Sequence, residues 1–359
     1  MTFADAQLAS YDALLFLSFG GPEKEEEVVP FLENVTRGRG IPRERLRIVG
    51  EHYFHFGGKS PINDLNKEII SHLEVELTSR GHILPIYFGN RNWYPFAHEA
   101  AERMSKDGVR NALVFATSAW GGYSGCRQYG EDIHNVRKHL KAKGLADIQF
   151  TKIRQFFDHP RFVAENAAAL QEAITKIGSS LRPQTRVIFS AHSIPMSHDQ
   201  AGGGAEDAHL YSRQVAESAR LVAQAAGIKG YDLVWQSRSG SPHTPWLEPD
   251  IVAHVRKLHA EDEVTAVVVC ALGFISDHME VIWDIDCELK AVTEELGLQL
   301  SRARTIGPSS QFATMIVDLV EELTEGRAPE AVGTVSTLGC SINGAPCRPG
   351  CCQIPRRPH

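Results

Sequence analysis

Acidic side chains follow the most apolar run of the chain at a spacing that would let them act together. Asp277, Glu280, Asp284 and Glu288 lie three, four and four residues apart, just after the run 265–274 (TAVVVCALGF). Because a helix turns by about 100° per residue, this spacing predicts one file of carboxylates on one helical face. Like charges four residues apart repel each other, so helix stability gives no reason for the file. It predicts a path for a cation or for protons, and a solvated acidic face is the alternative.

A histidine is predicted to lie beside this file. His192 follows the apolar run 186–190 (RVIFS), which is typical of a strand, and ligands bind beyond the carboxyl ends of parallel strands. Histidine transfers protons near neutral pH and binds borderline metal ions. Taken alone, His192 is explained equally well by a hydrogen bond to a loop carbonyl. Beside a file of carboxylates, it predicts a site that handles metal ions and protons.

Thiols are concentrated at one end of the chain. Four of the seven cysteines lie in the last twenty residues, namely Cys340, Cys347, Cys351 and Cys352. An odd, end-loaded set is not the pattern of a disulfide framework. Clustered thiolates predict a metal centre or a redox function, and a frayed tail with incidental thiols is the alternative. Cys270 and Cys287, in a predicted strand and a predicted helix, are expected to be packing residues.

These residues are set in a chain of alternating strands and helices. Short apolar runs predict eight strands, at 13–19, 84–90, 112–119, 148–153, 186–193, 231–237, 265–274 and 298–303. Helical spacing of apolar residues predicts helices at 65–79, 96–105, 162–177, 205–226, 249–259, 280–296 and 309–323. This alternation is typical of parallel sheets covered by helices on both faces. The sequence therefore predicts an α/β fold of two doubly wound halves that meet near 155–182.

Composition argues against several classes of protein. With 359 residues, of which 43% are hydrophobic and 23% charged, the chain is long enough for about two domains with their own cores. The net charge of −7 disfavours a broad nucleic-acid surface, so we expect no nucleic-acid partner. No apolar run approaches the roughly 20 residues of a transmembrane helix, and the N-terminus lacks the basic start of a signal peptide. We therefore expect a cytoplasmic protein with no transmembrane segment, and by default a monomer.

Five blocks of sequence resemble ferrochelatase, the enzyme that inserts ferrous iron into a porphyrin. In chain order they are 17–23 (LSFGGPE), 57–62 (GGKSPI), 189–196 (FSAHSIPM), 233–238 (LVWQSR) with 245–247 (PWL), and 273–280 (GFISDHME). The resemblance extends over nearly the whole chain. The third and fifth blocks are specific because they contain His192 and Glu280. The resemblance implies a lyase of haem biosynthesis whose substrates are a porphyrin and ferrous iron.

The resemblance also implies how the site is built. Two Rossmann-like, flavodoxin-type (chelatase-type) doubly wound domains with parallel sheets would hold the porphyrin in the cleft between them. His192 would accept pyrrole protons or bind iron with Glu280, and Asp284 and Glu288 would continue an acidic path. Phe19 stands where relatives carry Met, Tyr or another residue, and because phenylalanine cannot bind a metal, an iron ligand at that position is in doubt. The porphyrin-binding residues would be Phe19, Tyr53, Ser60, Arg91 and Tyr123.

Some ferrochelatases carry a [2Fe–2S] cluster, which is bound by one internal cysteine and three C-terminal ones. Cys126 lies close to the family's internal ligand, with an extra glycine before it (YSGC, 123–126). Cys340, Cys347 and Cys352 (or Cys351) would supply the other three thiolates, although the tail spacing differs from the tighter animal-type spacing. The resemblance therefore implies a [2Fe–2S] cofactor, and a tetrahedral zinc site is the alternative for the same four thiolates.

The porphyrin is expected to be coproporphyrin III, which has four propionates, with protoporphyrin IX, which has two, as the alternative. Segment 37–47 carries five arginines and Arg91 adds another, whereas the corresponding lip of animal-type enzymes is apolar and touches the membrane. Arginine pairs carboxylates bidentately, so a basic lip suits the more anionic porphyrin. For any single arginine, a solvated loop without ligand contact is the alternative.

The expected division of the chain follows from the same resemblance. Residues 1–160 would form an N-terminal Rossmann-like domain with the porphyrin lip, and 161–308 a second one with His192 and Glu280. Residues 309–359 would form a C-terminal helix and a Cys-rich tail that packs back on the first domain. Other enzymes of the haem pathway are expected as transient partners. The alternative functions are chelation of another tetrapyrrole, non-catalytic haem binding or delivery, and iron–sulfur electron transfer.

Overall fold

The computed structural model describes residues 10–38, 41–203, 207–239, 243–261, 264–336 and 350–353. Its strands form two sheets of four. The first sheet contains β1 (Ala13–Ser18), β2 (Ile86–Asn90), β3 (Asn111–Ala116) and β4 (Gln149–Lys152). The second contains β5 (Thr185–His192), β6 (Tyr231–Gln236), β7 (Ala266–Cys270) and β8 (Gln299–Arg302).

Helices connect these strands and cover the sheets. They are α1 (Glu25–Val35), α2 (Arg43–Phe54), α3 (Ile62–Ser79), α4 (Ala97–Lys106), α5 (Gln128–Ala142), α6 (Pro160–Thr175), α7 (Met196–Gln200), α8 (Leu210–Ala225), α9 (Ile251–Glu261), α10 (Met279–Val281), α11 (Lys290–Glu295) and α12 (Ser310–Thr324). Two segments, Tyr123–Arg127 and Ile282–Leu289, are π-helical. A short 3₁₀ turn, Arg182–Gln184, precedes β5.

Both sheets have the same strand order and are parallel throughout. The orders are β2-β1-β3-β4 and β6-β5-β7-β8. In each sheet the order reverses beside the first strand, which places a ligand crevice at the carboxyl ends of β1 and β3 in one half and of β5 and β7 in the other. β1 and β7 are buried along their whole length, as expected for strands that are covered by helices on both faces. The predicted α/β fold with two doubly wound halves is confirmed.

The predicted helices differ from the structure at five places. The sequence analysis did not predict α1, α2 or α5, because their charged and polar residues hide the apolar spacing. In α2, for example, only Leu46 and Gly50 are buried. The helix predicted at 205–226 begins only at Leu210, after His209 in a left-handed conformation (φ 61°). The helix predicted at 280–296 is interrupted by the π-helical segment, which changes how its acidic residues are arranged.

One hydrophobic core joins the two halves. It contains Phe16 and Phe115 of the first sheet, Phe189 and Val268 of the second, and Phe312 of α12. Burial of apolar surface is the main favourable term in folding, so this shared core keeps the two sheets in a fixed relation. No helix in the described part of the chain is long and apolar enough to cross a membrane.

The C-terminal segment is attached to both halves. On α12, Asp318 forms an ion pair with Arg80 at 2.8 Å, and Glu322 pairs with Arg154 at 2.7 Å. Beyond α12, the buried side chain of Gln214 on α8 donates from Nε2 to the carbonyl oxygen of Ser336 at 2.8 Å. The same side chain accepts from the amide of Gly121 at 2.6 Å. Gln214 therefore connects the tail to the loop after β3.

Candidate active site

His192 ends β5 and lies at the crevice of the second sheet. Its backbone pairs in register with Gln236 at the end of β6, and its carbonyl oxygen accepts a hydrogen bond from the Tyr211 hydroxyl at 2.8 Å. The imidazole Nδ1 lies 2.5 Å from the carbonyl oxygen of Ser193. An Nδ1–H donated to that oxygen leaves Nε2 as the nitrogen that faces the cleft. A Cβ at Gly273 would lie 2.6 Å from Ala191 Cα, so only glycine lets the loop after β7 approach this strand end.

Glu280 forms an ion pair with His192. Its Oε2 lies 3.5 Å from His192 Nε2, and the two side chains are 50% and 33% exposed. Partial burial lowers the pKa of His192, but the hydrogen bond and the negative charge of Glu280 outweigh it, and the pKa lies above its usual value. Burial raises the pKa of Glu280, but His192 more than offsets this and holds it at about 2. The two shifts act in the same sense, since each favours an imidazolium beside a carboxylate.

Asp284 and Glu288 continue from Glu280 along the π-helical segment. Side chains four apart lie close to one face in both α-helical and π-helical winding, so the three carboxylates share one face of this segment. Burial raises the pKa of Asp284 to about 6, and the charges of Glu280 and Glu288 raise it further against the hydrogen bonds that Asp284 accepts. The file of three carboxylates thus continues from the His192–Glu280 pair on one face, and its middle member has a pKa of about 6.

The hydrogen bonds to Asp284 come from two residues at the end of β6. Ser237 Oγ donates to Asp284 Oδ2 at 2.5 Å, and Gln236 Nε2 donates to the same oxygen at 3.2 Å. Gln236 Oε1 in turn accepts from the Ser190 hydroxyl of β5 at 2.7 Å. Ser237 has a φ of 60°, a left-handed conformation that costs a residue with a β-carbon free energy. Strain of this kind is typical of functional sites, and here it aims the Ser237 hydroxyl at the acidic file.

Asp277 does not belong to the file, which corrects the sequence prediction. It precedes α10, and its two oxygens accept from Arg302 Nη1 and Nη2 at 2.8 and 3.0 Å. Arg302 also binds both oxygens of Asp286, at 2.9 Å each. The spacing of Asp277 suggested a common face, but an arginine at the end of β8 pairs it with a different carboxylate.

One aromatic wall of the site is formed where α2 meets the π-helical segment. The His52 ring stacks on Trp283, with centroids 4.0 Å apart and planes 8° apart, and His55 meets the same indole edge-on at 5.8 Å. Trp283 Nε1 donates to Glu288 Oε1 at 2.9 Å. Burial lowers the pKa of His52, against the opposing charges of Glu288 and Glu280. The sequence analysis missed both histidines, although their spacing of three residues places them on one face of a helix.

The remaining wall is built around the carboxyl end of β1. Phe19 is 39% exposed. Phe31 packs edge-on against both Phe19 and Tyr53, with ring centroids 6.3 and 6.0 Å apart. Burial raises the pKa of Tyr53, so its hydroxyl stays protonated. Ser60 is buried beneath Gly21, where an added Cβ would lie 2.7 Å from Ser60 Cβ.

Arg91 and Tyr123, the other two predicted porphyrin contacts, already have protein partners. Arg91 Nε donates to Asp132 at 2.6 Å, Nη1 donates to Gln128 at 3.1 Å, and the guanidinium lies 4.2 Å from the centre of the Tyr129 ring. Its Nη2 is buried and has no hydrogen-bond partner among the described residues. The Tyr123 hydroxyl donates to Glu131 at 3.1 Å. Only Nη2 of Arg91 therefore has its full hydrogen-bonding capacity left for a ligand.

Residues 11–324 match the family model described as ferrochelatase. The chain belongs to the ferrochelatase family. It is 59% identical over 343 residues to the coproporphyrin III ferrochelatase of Corynebacterium glutamicum, covering 96% of this chain and 92% of that one. It is 52% identical over 345 residues to the coproporphyrin III ferrochelatase of Mycolicibacterium smegmatis, covering 95% and 99%. The resemblance inferred from five sequence blocks is confirmed, and the chain is an enzyme of this family.

A solved chelatase has a similar fold. The structure titled SirB from Bacillus subtilis with Fe3+ matches this ferrochelatase-family chain with a TM-score of 0.53 over 89% of this chain and 98% of that one. The sequences are 13% identical, so the likeness supports the fold alone.

The described cysteines of this ferrochelatase-family chain include a buried group near the loop after β3. Cys126 lies in the first π-helical segment, and the next residue, Arg127, donates from Nη1 to the carbonyl oxygen of Cys351 at 2.9 Å. The Sγ atoms of Cys351 and Cys352 are 3.6 Å apart, and the Gly203 amide donates to Cys352 Sγ at 3.4 Å. Cys126, Cys351 and Cys352 are all buried. Cys340 and Cys347 lie outside the described residues.

The chemistry of these donors suits a thiolate-bound metal centre. Cys351 and Cys352 bring two buried thiols to within 3.6 Å with an amide aimed at one sulfur, and Arg127 ties their segment to the residue after Cys126. By contrast, Cys270 is enclosed in β7, where burial raises its pKa to about 12, so it remains a packing residue as predicted. Cys287 is half-buried on the π-helical segment, and burial raises its pKa as well.

Proposed function

We propose that this chain inserts ferrous iron into coproporphyrin III to give iron coproporphyrin, a step of haem biosynthesis. The observation that carries the proposal is the pair His192–Glu280, 3.5 Å apart at the end of a cleft strand, from which the carboxylates of Asp284 and Glu288 lead away. The coproporphyrin III ferrochelatases named above, which are more than half identical to this chain, support the choice of porphyrin.

The reaction exchanges Fe²⁺ for the two pyrrole protons of the free-base porphyrin without any change of oxidation state. A base must therefore lie over the macrocycle, and His192 Nε2 is the proposed acceptor. His192 can accept a proton only when it is neutral, so any proton that the imidazole already carries has to pass on first. Glu280 is in direct contact, but with a pKa of about 2 it does not retain a proton. Asp284, with a pKa of about 6, can both take up and release protons near neutral pH.

The same carboxylates serve the incoming metal. Glu280, Asp284 and Glu288 offer oxygen ligands in a line, and they combine with the one imidazole to suit a divalent iron ion that must bind and then move on. The proposed porphyrin contacts remain Phe19, Tyr53, Ser60, Arg91 and Tyr123, with the unpaired Nη2 of Arg91 as a donor to a propionate. Phe19 has no atom that binds a metal, so we assign it to packing against the macrocycle.

The choice of porphyrin is tested by turnover of coproporphyrin III and protoporphyrin IX in the same assay with Fe²⁺. We expect kcat/KM for coproporphyrin III to be about tenfold higher or more, because each additional propionate paired to a cation adds binding free energy. Loss of the free-base visible bands gives the rate. A preference for protoporphyrin IX would replace the proposed substrate. A protein that binds both porphyrins and metallates neither would be a haem-binding or haem-delivery protein.

We also propose that Cys126, Cys340, Cys347 and Cys352 (or Cys351) hold a [2Fe–2S] cluster. Four thiolates are the usual complement for this cluster. A cluster bound there would join the loop after β3 to the C-terminal tail, which Gln214 and Arg127 already hold nearby. The Gly203 amide would donate to one of its sulfur ligands. Zinc on the same thiolates is the competing occupant.

The cluster is tested with Cys126→Ser. We expect the purified protein to be reddish-brown with iron and acid-labile sulfide in equal amounts, and this variant to lose the colour and the sulfide. Cys287→Ser, which changes a half-buried thiol on another segment, is the matched control and should keep both. A colourless, zinc-loaded wild-type protein contradicts the cluster assignment, and so does a Cys126→Ser protein with unchanged colour.

The organisation of the chain completes the proposal. We infer an N-terminal domain over 1–160, a second domain over 161–308 and a C-terminal helix and tail over 309–359, in agreement with the separate sheets and with the contacts of α12 and α3. We further propose a monomer that acts in the cytoplasm, without a nucleic-acid partner and with transient contacts to other enzymes of the haem pathway.

A further inference from the structure

Arg302 binds two carboxylates of the acidic segment, which comprises residues 277–288. It is the last residue of β8, and its side chain is only 18% exposed. Its guanidinium makes four hydrogen bonds of 2.8–3.0 Å, two to Asp277 and two to Asp286. Bidentate pairs of this kind fix geometry as well as charge. We propose that Arg302 is a positioning residue for iron insertion, which holds the π-helical segment so that Glu280, Asp284 and Glu288 form one file; this rests on the proposed function above.

The contacts of the segment divide its carboxylates into two groups. Asp277 and Asp286 both form ion pairs with Arg302. The other three have neutral or titratable partners: Glu280 contacts His192, Asp284 accepts from Ser237 and Gln236, and Glu288 accepts from Trp283. None of these three pairs with a lysine or an arginine anywhere in the described part of the chain. Arg302 therefore neutralises two charges and leaves three for a cation.

The second argument concerns the winding of the helix. A π-helical stretch is rare, and it persists only where other contacts hold it. Asp277 lies before α10 and Asp286 lies inside the π-helical segment, so one guanidinium fixes both ends of the intervening turns. If this segment relaxed toward α-helical winding, Asp286 would rotate relative to Asp277 and Arg302, and Asp284 and Glu288 would rotate relative to Glu280 and the cleft. Removal of Arg302 also leaves five carboxylates within 277–288 to repel one another.

The test measures the kinetic constants for Fe²⁺ separately from the binding of the porphyrin. Arg302→Met and Asp286→Asn are compared with the wild-type chain, with kcat and KM measured for Fe²⁺ and for coproporphyrin III. We expect kcat/KM for Fe²⁺ to fall by about tenfold or more in Arg302→Met and about threefold in Asp286→Asn, which keeps the pair with Asp277. The dissociation constant for coproporphyrin III, from fluorescence quenching, is expected to stay within about twofold.

A neighbouring arginine provides the matched control. Arg304, two residues further on, also bonds to two carboxylates, Glu165 and Glu172 of α6, and does not touch the acidic segment. Arg304→Met is expected to leave the iron parameters unchanged. An equal fall of iron kcat/KM in Arg304→Met would overturn the proposal, because the loss would then reflect general destabilisation.

The remaining outcomes are also decisive. If Arg302→Met does not fold, the Asp286→Asn variant provides the test, because in that variant Arg302 keeps its ion pair with Asp277. The positioning role is overturned if kcat and KM for Fe²⁺ in a folded Arg302→Met protein stay within about twofold of wild type. If Arg302→Met does not fold, the same result in Asp286→Asn overturns it. So does an equal loss for both substrates, which a purely structural role would produce. A wild-type protein that inserts no iron overturns the proposed function instead, so the two failures are distinguishable.

Discussion

The variant His192→Ala is expected to lose iron insertion by a factor of about 10² to 10⁴ in kcat, the usual contribution of a positioned general base. His192 is the imidazole in contact with Glu280 at the end of β5, and Tyr211 and Ser193 fix its position through backbone oxygens. Alanine removes the proton acceptor but keeps the strand and the aromatic walls. Coproporphyrin III binding, measured by fluorescence quenching, should therefore remain within about threefold of wild type.

The control for this variant is His259→Ala. His259 is exposed at the end of α9, far along the chain from the cleft residues, and its loss should leave turnover unchanged. Turnover in His192→Ala at the wild-type rate would remove His192 from the mechanism. A parallel loss of porphyrin binding would instead assign His192 to binding.

The variant Glu280→Gln is expected to lower kcat about 10²-fold and to shift the acid limb of the pH profile. In the wild-type chain Glu280 raises the pKa of His192, so the neutral imidazole forms, and activity rises, only as the pH increases beyond the usual histidine range. In Glu280→Gln burial still lowers the pKa of His192, while the negative charge of Glu280, which contributes more to raising it than the charge of Asp284, is gone. The acid limb should therefore move to lower pH even though the maximal rate falls.

Two measurements check this shift. The ring protons of His192 can be titrated by NMR in the porphyrin-free protein, and the residual activity can be followed against pH. Glu294→Gln, on the exposed side of α11, is the matched control and should change neither. An acid limb at the same pH in wild type and Glu280→Gln would mean that Glu280 does not set the charge of His192.

Much of the candidate site could be predicted from the chain because strand ends are visible in a sequence. A buried parallel strand is an uninterrupted apolar run, so the residues that follow it are known to lie at a crevice. This placed His192 and Glu280 at the same edge of one sheet, and the structure brings them to 3.5 Å. Local spacing also gave the relation of Glu280, Asp284 and Glu288, since it depends only on neighbouring residues.

The sequence prediction was wrong for a residue whose partner comes from another strand. Asp277 has the same spacing as the other acids, but β8 lies beside β7 with Val269 opposite Arg302, which brings the arginine to this sheet edge. The sequence of residues 277–288 gives no indication that Arg302 lies next to them. For the same reason the contact of His52 with Trp283 was missed, because α2 and the π-helical segment come from different halves.

By itself, then, the sequence determined the α/β architecture, the membership of the ferrochelatase family and the position of His192 and Glu280 beyond strand ends. These follow from apolar periodicity and from short blocks, which are local properties of the chain. Only the tertiary structure decided which carboxylates Arg302 neutralises, that Arg91 already binds Asp132, and that Arg127, next to Cys126 in the chain, binds the carbonyl oxygen of Cys351. Those facts depend on distances between residues far apart in the chain, and the packing of the two sheets sets them.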